Sequence, residues 1–488
     1  MHTRMLAFIL TLAIGAPVLG DDNQTPPTAD ALLNHPEVAG ALSIIDAWIA
    51  GRQTFEQIPG ISVGIVRDQD LLWSNGYGHG NLETMRPVDG DTLYSICSIS
   101  KLFTAIGVMQ LRDEGKLRLK DTVADHLDWY DIEQAHADSG PVTIEGLMTH
   151  SSGLPRESDF PYWIGPDFPF PSRAQVIDRL GVQETLYPSH QYFQYSNLGW
   201  TLAGEIVAER SGDDYSDYIQ SKILDPLDLD STRTYFPEDL HGKELAIGYT
   251  GMHRDLSRDP VKPFFTRGIT AAAGFTSSVN DLARFASWQF RLLAHGGEEV
   301  IAANTLREMH RVHWVDPDWE TTWGLGFNVR RADDTTYVSH GGGCPGYITS
   351  FTMVPKQKIA AVVLTNAGDG PAGSMAVNIL KVIGPALKKA ATPSEDELPD
   401  LSMYEGNYES RPWGGEVAIR QWGDQLALID IPRNNLEEAI TRLEHDSGHT
   451  FYRLDDDEER RESWVFEPGD DGQAARVKTH SGYQTRIE

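Results

Sequence analysis

Residues 93–111 read LYSICSISKLFTAIGVMQL, and they carry the strongest structural signal in the 488-residue chain. Three serines stand near a single lysine there, and one of only two cysteines in the chain lies among them. Apolar residues continue at helical spacing and stop before Gly115, a residue type that commonly ends helices. The pattern predicts a helix over 100–114, with the serines at its start.

Ser98 is the serine that this spacing favours. Ser98-Ile99-Ser100-Lys101 is the only S-x-x-K sequence in the chain, and residues three apart share a helix face. A lysine in a poorly hydrated place loses basicity and can accept the serine proton. Free N–H groups at the helix start suit an oxyanion on an attacked carbonyl. Ser98 is therefore the candidate nucleophile, although S-x-x-K alone also occurs by chance in many proteins.

Two later motifs extend this pattern. Tyr195-Ser196-Asn197 stands in QYFQYSNLGW, and His340-Gly341-Gly342 opens a predicted strand. The order of serine–lysine, tyrosine–x–asparagine, and a basic residue with glycine two positions later resembles the class C β-lactamases and their relatives. The relatives include family VIII carboxylesterases, D-aminopeptidases and penicillin-binding proteins. Four further stretches are similar to signature segments of this superfamily, over roughly 40–390: LMTHSSGLP (147–155), GITAAAGFTSSVNDLARFA (268–286), WGLGF (323–327) and VVLTNAGDG (362–370).

The resemblance implies an α/β fold, with an antiparallel sheet flanked by helices and an inserted, mostly helical subdomain. It implies that Ser98 is acylated and that Lys101 and Tyr195 share the general-base work. A free tyrosine has a pKa near about 10, so Tyr195 needs a neighbouring cation, which Lys101 would supply. No glutamate clearly matches the deacylating glutamate of class A β-lactamases, so deacylation is assigned to the same two residues. No cofactor and no metal is implied.

Substrate-binding roles follow from the same resemblance. Asn197 is expected to orient Lys101 and to bind a substrate amide. The oxyanion is expected to lie between the N–H groups of Ser98 and Gly343. The glycine run that includes Gly342 lets a substrate lie close to the backbone.

His340 stands where classical β-lactamases and D,D-peptidases carry a lysine. That lysine attracts the free carboxylate of the substrate, whereas a histidine is mostly neutral at pH 7. The difference argues against an efficient β-lactamase or D,D-carboxypeptidase. Histidine at this position resembles D-aminopeptidases and several esterases.

A second enzyme class competes for two of these motifs. GISVG (60–64) fits G-x-S-x-G, and HGGG (340–343) resembles a lipase oxyanion loop, so the pair suggests an α/β-hydrolase. Against this, Ser62 lies inside a predicted strand that turns into another strand, and the HGGG follows the serine instead of preceding it. We therefore interpret Ser62 as a strand residue, and His150 as a buried structural histidine.

The two cysteines, Cys97 and Cys344, flank the catalytic motifs. Certain class A carbapenem-hydrolysing β-lactamases have a disulfide at the equivalent pair of positions, and this resemblance implies a Cys97–Cys344 disulfide. The alternative is two reduced thiols, one of them buried as a small apolar side chain.

The chain ends suggest export and a second domain. Residues 1–20 have a basic start, a short apolar run and small residues at a cleavage position, which is typical of a signal peptide and favours a periplasmic or secreted protein.

A flexible leader is expected over 21–30, a catalytic domain over 31–390, a linker over 391–400 and an all-β domain over 401–488. That last domain resembles the lipocalin-like domains of some D-aminopeptidase relatives. Its SRPWGGE loop (410–416), with Trp413 at the tip, is a candidate to reach the active site, and a plain surface hairpin is the alternative.

The composition of the chain argues against several classes of binding partner. A net charge of -30 argues against nucleic acid and against docking on an anionic membrane, and no later segment is apolar enough to span a bilayer. The expected partner is a small-molecule or peptide substrate. The prediction is a serine hydrolase acting on a small ester or peptide amide; the alternatives are β-lactamase or D,D-carboxypeptidase activity, or a non-catalytic penicillin-binding sensor.

Overall fold

The computed structural model describes residues 28–160, 162–332, 334–391, 398–413, 415–455 and 457–487. The predicted signal peptide (1–20), most of the leader and linker residues 392–397 lie outside the described residues. The predicted domain boundary over 391–400 therefore stays a prediction.

The strands fall into two groups along the chain. The first group precedes the linker and consists of β1 Gly60–Arg67, β2 Asp70–Asn81, β3 Arg86–Pro87, β4 Tyr94–Ser95, β5 Thr276–Ser277, β6 Glu298–Glu299, β7 Ile301–Ala302, β8 Trp314–Val315, β9 Thr322–Trp323, β10 Asn328–Ala332, β11 Thr335–Cys344, β12 Tyr347–Val354 and β13 Ile359–Thr365. The second group consists of β14 Gly406–Glu409, β15 Glu416–Trp422, β16 Gln425–Asp430, β17 Ile440–Ser447, β18 Thr450–Leu454, β19 Arg460–Pro468, β20 Ala474–Thr479 and β21 Gly482–Arg486.

The helices lie mostly before the linker. They are α1 Ala29–Leu33, α2 Pro36–Phe55, α3 Ser100–Asp113, α4 Ile144–Met148, α5 Arg173–Leu180, α6 Asn197–Ser211, α7 Tyr215–Ile219, α8 Thr270–Ala273, α9 Val279–His295, α10 Ala303–Met309, α11 Ala372–Ala390 and α12 Leu436–Ala439. A short 3₁₀ helix, Cys97–Ile99, precedes α3.

The central sheet is antiparallel and mixes strands from both ends of the first group. Its order is β3-β2-β1-β13-β12-β11-β10-β9-β8. Most of the helices lie between β3 and β8 in the chain, which gives the predicted insertion of a mostly helical region. The predicted fold class is confirmed.

The two faces of the sheet pack into different apolar clusters. On β13, Val362 and Leu364 face the cluster that contains α3 and α9, and Ala361 and Val363 face the cluster that contains α2 and α11. This alternation is the period of two that a strand imposes. Helices therefore cover both faces of the sheet. Helix α3, which follows Ser98, packs on the same face as α9.

The C-terminal strands β14 to β21 close into an eight-stranded barrel, in which β14 pairs with β21. Apolar and aromatic side chains such as Tyr408, Phe451 and Phe466 form its core. The outer surface of the barrel packs on α2 and α11. A Cβ on Gly51 of α2 would lie 2.0 Å from Ile431 Cγ2, so that approach requires glycine.

Candidate active site

The turn before α3 presents Ser98 to the surface. From Thr92 to Met109, Ser98 is the only residue that is not buried. Ser100, its neighbour on the helix, accepts a hydrogen bond from the Phe275 N–H at 3.0 Å and is buried. The fold therefore leaves one serine of this segment partly exposed, and it is the one with the lysine spacing.

Lys101 lies behind Ser98 in a fully buried position. Its Nζ donates to Asn197 Oδ1 at 2.8 Å and to the Ala272 carbonyl at 2.7 Å, and it lies 3.2 Å from Ser98 Oγ. Burial, the larger effect, and then the charge of Arg156 lower the pKa of Lys101, while Glu157 acts in the opposite sense.

The hydrogen-bond partners of Lys101 decide what its neutral form can do. A neutral amine has two N–H bonds and one lone pair. The Ala272 carbonyl and Asn197 Oδ1 can only accept, so they take the two N–H bonds. The lone pair is then left for the Ser98 hydroxyl, which is the arrangement that a general base needs.

Asn197 is placed by the start of α6. Ser196 caps this helix, because its Oγ accepts from the Gly199 N–H at 2.8 Å. The Asn197 Nδ2 donates to Glu157 Oε1 at 2.7 Å. Both ends of the Asn197 amide are thus engaged, one with Lys101 and one with a carboxylate.

Tyr195 completes the group around Ser98. Its phenol is hydrogen-bonded to Ser98, and burial raises its pKa above the usual value despite that bond and the Arg156 charge. The Lys101 Nζ lies 4.9 Å from the centroid of its ring, and His150 stacks on the ring at 4.0 Å. The tyrosine ring therefore stacks on His150 and lies near the charges of Lys101 and Arg156, with its hydroxyl at the serine.

His150 acts as a packing and hydrogen-bonding residue, in agreement with the structural role expected. It is fully buried, its Nδ1 lies 3.0 Å from the Ser196 N–H that donates to it, and burial lowers its pKa well below the usual value. Its contact with Tyr195 positions the phenol.

The strand that carries His340 forms one wall of the site. β11 begins at Thr335, so His340 lies in its second half and does not open the strand as expected. His340 is buried, and burial lowers its pKa to about 3, with a smaller effect of Lys101. The imidazole is therefore neutral over the physiological range. Its Nδ1 lies 2.7 Å from the Gly341 carbonyl, so this nitrogen carries the proton.

The glycines of β11 alternate between two environments. Gly341 and Gly343 are exposed and line the cleft over Ser98. Gly342 is buried, and a Cβ there would lie 2.1 Å from the Ile96 carbonyl oxygen. Gly342 is thus not among the residues that line the cleft. It permits the close approach of β11 to the turn that carries Ser98. Its predicted contact with substrate stays a prediction.

The two cysteines join these same segments. Cys97 precedes Ser98, Cys344 ends β11, and their sulfurs lie at disulfide distance with the Cα atoms 5.8 Å apart. This Cα separation lies within the range of natural disulfides.

The cleft has a volume of about 390 Å³. Besides Ser98, Tyr195, His340 and the two exposed glycines, it is lined by Trp323, which begins the WGLGF stretch, and by three residues outside the quoted motifs: Arg156, Asn328 and Ser339. No barrel residue is among the described residues that line it. A larger cavity of about 630 Å³ lies between the barrel and α11, but its described lining contains no serine or cysteine.

Ser62 is not available as a nucleophile. It is buried in β1, and its hydroxyl donates to the Asp89 carbonyl at 2.7 Å and lies 2.9 Å from Tyr94 Oη. β1 leads into β2 without a helix between them. The α/β-hydrolase alternative is therefore wrong.

Comparison with known proteins decides the family. The sequence model of the beta-lactamase family matches residues 45–382, which is more than half of the chain. The chain belongs to the beta-lactamase family.

Three similar proteins illustrate the family. The chain is 25% identical over 363 residues to Beta-lactamase-like protein 2 of Dictyostelium discoideum, covering 73% of this chain and 63% of the relative. It is 28% identical over 328 residues to unguisins hydrolase ungD' of Aspergillus campestris (strain IBT 28561), covering 64% of this chain and 60% of the relative. The chain therefore spans about three fifths of the length of these curated relatives. The octameric penicillin-binding protein homologue from Pyrococcus abyssi has a similar structure, with a TM-score of 0.62, 26% identity, and 91% of this chain and 100% of that chain covered.

Membership of the beta-lactamase family agrees with the geometry around Ser98, because members of this family are serine hydrolases. In the described part of the chain, no cluster of three or more His, Cys, Asp or Glu side chains could hold a metal ion. Within the same residues, no helix has both the length and the apolar character to cross a bilayer.

Proposed function

We propose that the protein is an exported serine hydrolase that forms an acyl-enzyme at Ser98 and acts on a small ester or peptide amide. The observation that carries the proposal is the position of the Lys101 Nζ. It lies 3.2 Å from Ser98 Oγ, with its other contacts made to acceptors only.

Acylation would begin when Ser98 Oγ attacks the substrate carbonyl and its proton passes to the Lys101 lone pair. The tetrahedral oxyanion would lie between the N–H groups of Ser98 and Gly343. Collapse of this intermediate breaks the bond to the alcohol or amine, which leaves with a proton supplied by the Lys101–Tyr195 pair. Tyr195 suits this role because its raised pKa keeps the phenol protonated at neutral pH.

Deacylation would use the same groups in the reverse sense. A water molecule attacks the ester carbonyl of the acyl-enzyme and gives a proton to the Lys101–Tyr195 pair. Ser98 Oγ leaves and takes that proton back, which regenerates the free enzyme. No additional carboxylate is needed for this proton balance.

The charge distribution supports a substrate without a required carboxylate. His340 is neutral, and Arg156 is the one permanent charge among the described residues that line the cleft. The Arg156 Nε lies 3.4 Å from Glu157 Oε1, so its charge is partly compensated. A weakly charged cleft suits a neutral ester or amide better than a β-lactam carboxylate.

Export is supported by two features. The N-terminal sequence has the pattern of a signal peptide. The pair Cys97–Cys344 lies at disulfide distance, which is compatible with an oxidising compartment.

A substrate screen tests the proposal. The purified full chain and its Ser98→Ala variant would be assayed on p-nitrophenyl esters, D-aminoacyl anilides and nitrocefin. We expect turnover of an ester or anilide that falls by about 10⁶-fold in the variant. Nitrocefin as the best substrate would favour β-lactamase activity, and binding without turnover would favour the penicillin-binding sensor.

A further inference from the structure

We propose that Glu157 is a positioning residue of the site, an inference that rests on the function proposed above. Its carboxylate holds the Asn197 amide in the orientation that reserves the Lys101 lone pair for Ser98, and its negative charge favours the protonated form of Lys101. Neither the S-x-x-K nor the tyrosine–x–asparagine motif contains this residue.

The loop that carries Glu157 is tied to the start of α6. The Arg156 carbonyl accepts hydrogen bonds from the N–H groups of Asn197 at 2.8 Å and Leu198 at 3.2 Å. These backbone bonds fix the loop against the helix end. The distance between Glu157 and Asn197 is therefore set by the backbone as well as by their side chains.

The Glu157 carboxylate has donors on both oxygens. Oε1 accepts from Asn197 Nδ2 at 2.7 Å, and Oε2 accepts from the hydroxyl of Tyr162, a buried residue. The Glu157 side chain is only 19% exposed, and the Arg156 Nε lies 3.4 Å from Oε1. A mostly buried carboxylate with this set of partners is held in one place.

An ionised carboxylate accepts hydrogen bonds and donates none. It therefore allows the Asn197 amide one orientation, with the NH₂ group toward Glu157 and Oδ1 toward Lys101. The reversed amide would place N–H donors against the Lys101 Nζ, where they would compete with the Ser98 hydroxyl for the lone pair. Glu157 excludes that competing state.

Glu157 also sets the charge around Lys101. Among the described residues, the charged and titratable groups that face Lys101 are Glu157 and Arg156 from the loop, Tyr195 before α6, and the neutral His150 and His340. Glu157 is the one carboxylate in this group. Its charge opposes the effect of burial on the lysine.

The test compares Glu157→Gln and Glu157→Leu with the unchanged full chain. The measured quantity is the rate of Ser98 labelling by a fluorophosphonate as a function of pH. Labelling needs neutral Lys101, so the rate rises with pH through the pKa of Lys101. Loss of the negative charge lowers that pKa, so both variants should shift the rise in labelling rate to lower pH.

The two variants should differ in the plateau rate. Glutamine can still accept from Asn197 Nδ2, so the Glu157→Gln plateau should stay within several-fold of the unchanged chain. Leucine removes the acceptor, so Glu157→Leu should lower the plateau by up to about 100-fold. A shift in pH dependence is not expected from a residue that only stabilises the fold.

Glu205→Gln is the matched control. Glu205 lies on the same helix as Asn197, its side chain is 15% exposed, and it pairs with Arg173 Nε at 2.6 Å. This control also removes one mostly buried carboxylate and should leave the pH profile unchanged. Thermal unfolding of every variant shows whether it is folded. If Glu157→Leu does not fold, the pH profile of Glu157→Gln alone tests the role of Glu157.

Two results would overturn the inference in distinguishable ways. If Ser98 is labelled with the same pH profile in the unchanged chain and in every variant, Glu157 is not a positioning residue and the proposed function stands. If the unchanged chain is not labelled at Ser98, the proposed function itself fails, and the role of Glu157 fails with it.

Discussion

Ser98, Lys101 and Asn197 form a hydrogen-bonded chain in which each partner restricts the next. The two acceptors on Lys101 leave its lone pair for Ser98. Ser98 is partly exposed while its flanking residues are buried, so the nucleophile is the point where this buried network meets solvent.

Replacing His340 by lysine tests the assignment of the substrate-binding wall. A protonated lysine would add a positive charge to a cleft where the imidazole is now neutral. We expect His340→Lys to raise the ratio of kcat/KM for nitrocefin, which carries a carboxylate, to that for a neutral p-nitrophenyl ester. The neutral ester is the internal control, and an unchanged ratio would show that His340 does not face the substrate.

Sequence patterns pointed to the residues of the motifs and to Asn197 and His150 beside them, but missed Glu157. The S-x-x-K spacing pointed to Ser98, because a helix places those two side chains on one face whatever the rest of the chain does. Glu157 follows Pro155-Arg156, where a charged residue is ordinarily a solvated part of a loop. Only the folded chain brings it to Asn197, 40 residues away.

At the scale of secondary-structure elements, the turn Cys97–Ile99 packs closely against strand β11. Gly342 permits the close approach, and Cys97 and Cys344 stand on the two sides of it. A covalent bond between them would hold the Ser98 N–H and the Gly343 N–H at a fixed separation.

We predict that the two cysteines form a disulfide. Their separation of 247 residues gives a chain-entropy effect of about 5 kcal/mol, an upper figure for so large a loop. Thiol titration of the denatured, unreduced protein should detect no free thiol, and reduction should lower the free energy of unfolding. Two titratable thiols before reduction would contradict this.

Most elements were predictable because their periodicity is strong, and the differences have local causes. Near the start of the described chain, α1 and α2 are two separate helices because Pro36 begins a new helix after the His35 cap. The helix predicted over 100–114 is observed as α3, Ser100–Asp113, close to its predicted bounds. The 3₁₀ turn before α3 was not, because its geometry depends on β11 packing against it.

In the whole molecule, the barrel and the cleft lie on opposite sides of the central sheet. The barrel packs on the side of the sheet covered by α2 and α11, whereas α3 and Ser98 belong to the other side. Trp413, the tip of the loop expected to reach the active site, is 92% exposed and lines a cavity formed by barrel residues.

Replacing Trp413 by alanine should therefore leave catalysis unchanged. The expected kcat and KM for a small ester equal those of the unchanged chain, because no described barrel residue lines the cleft. A rise in KM or a fall in kcat beyond experimental error would show that the barrel loop contributes to the substrate site.

The central claim is that Ser98 is the acylated nucleophile. The most direct measurement is peptide mapping by mass spectrometry after the full chain has reacted with a fluorophosphonate, with Ser98→Ala as the control. We expect a single adduct on Ser98 and no labelling of the variant. An adduct on another residue, or equal labelling of Ser98→Ala, would contradict the account.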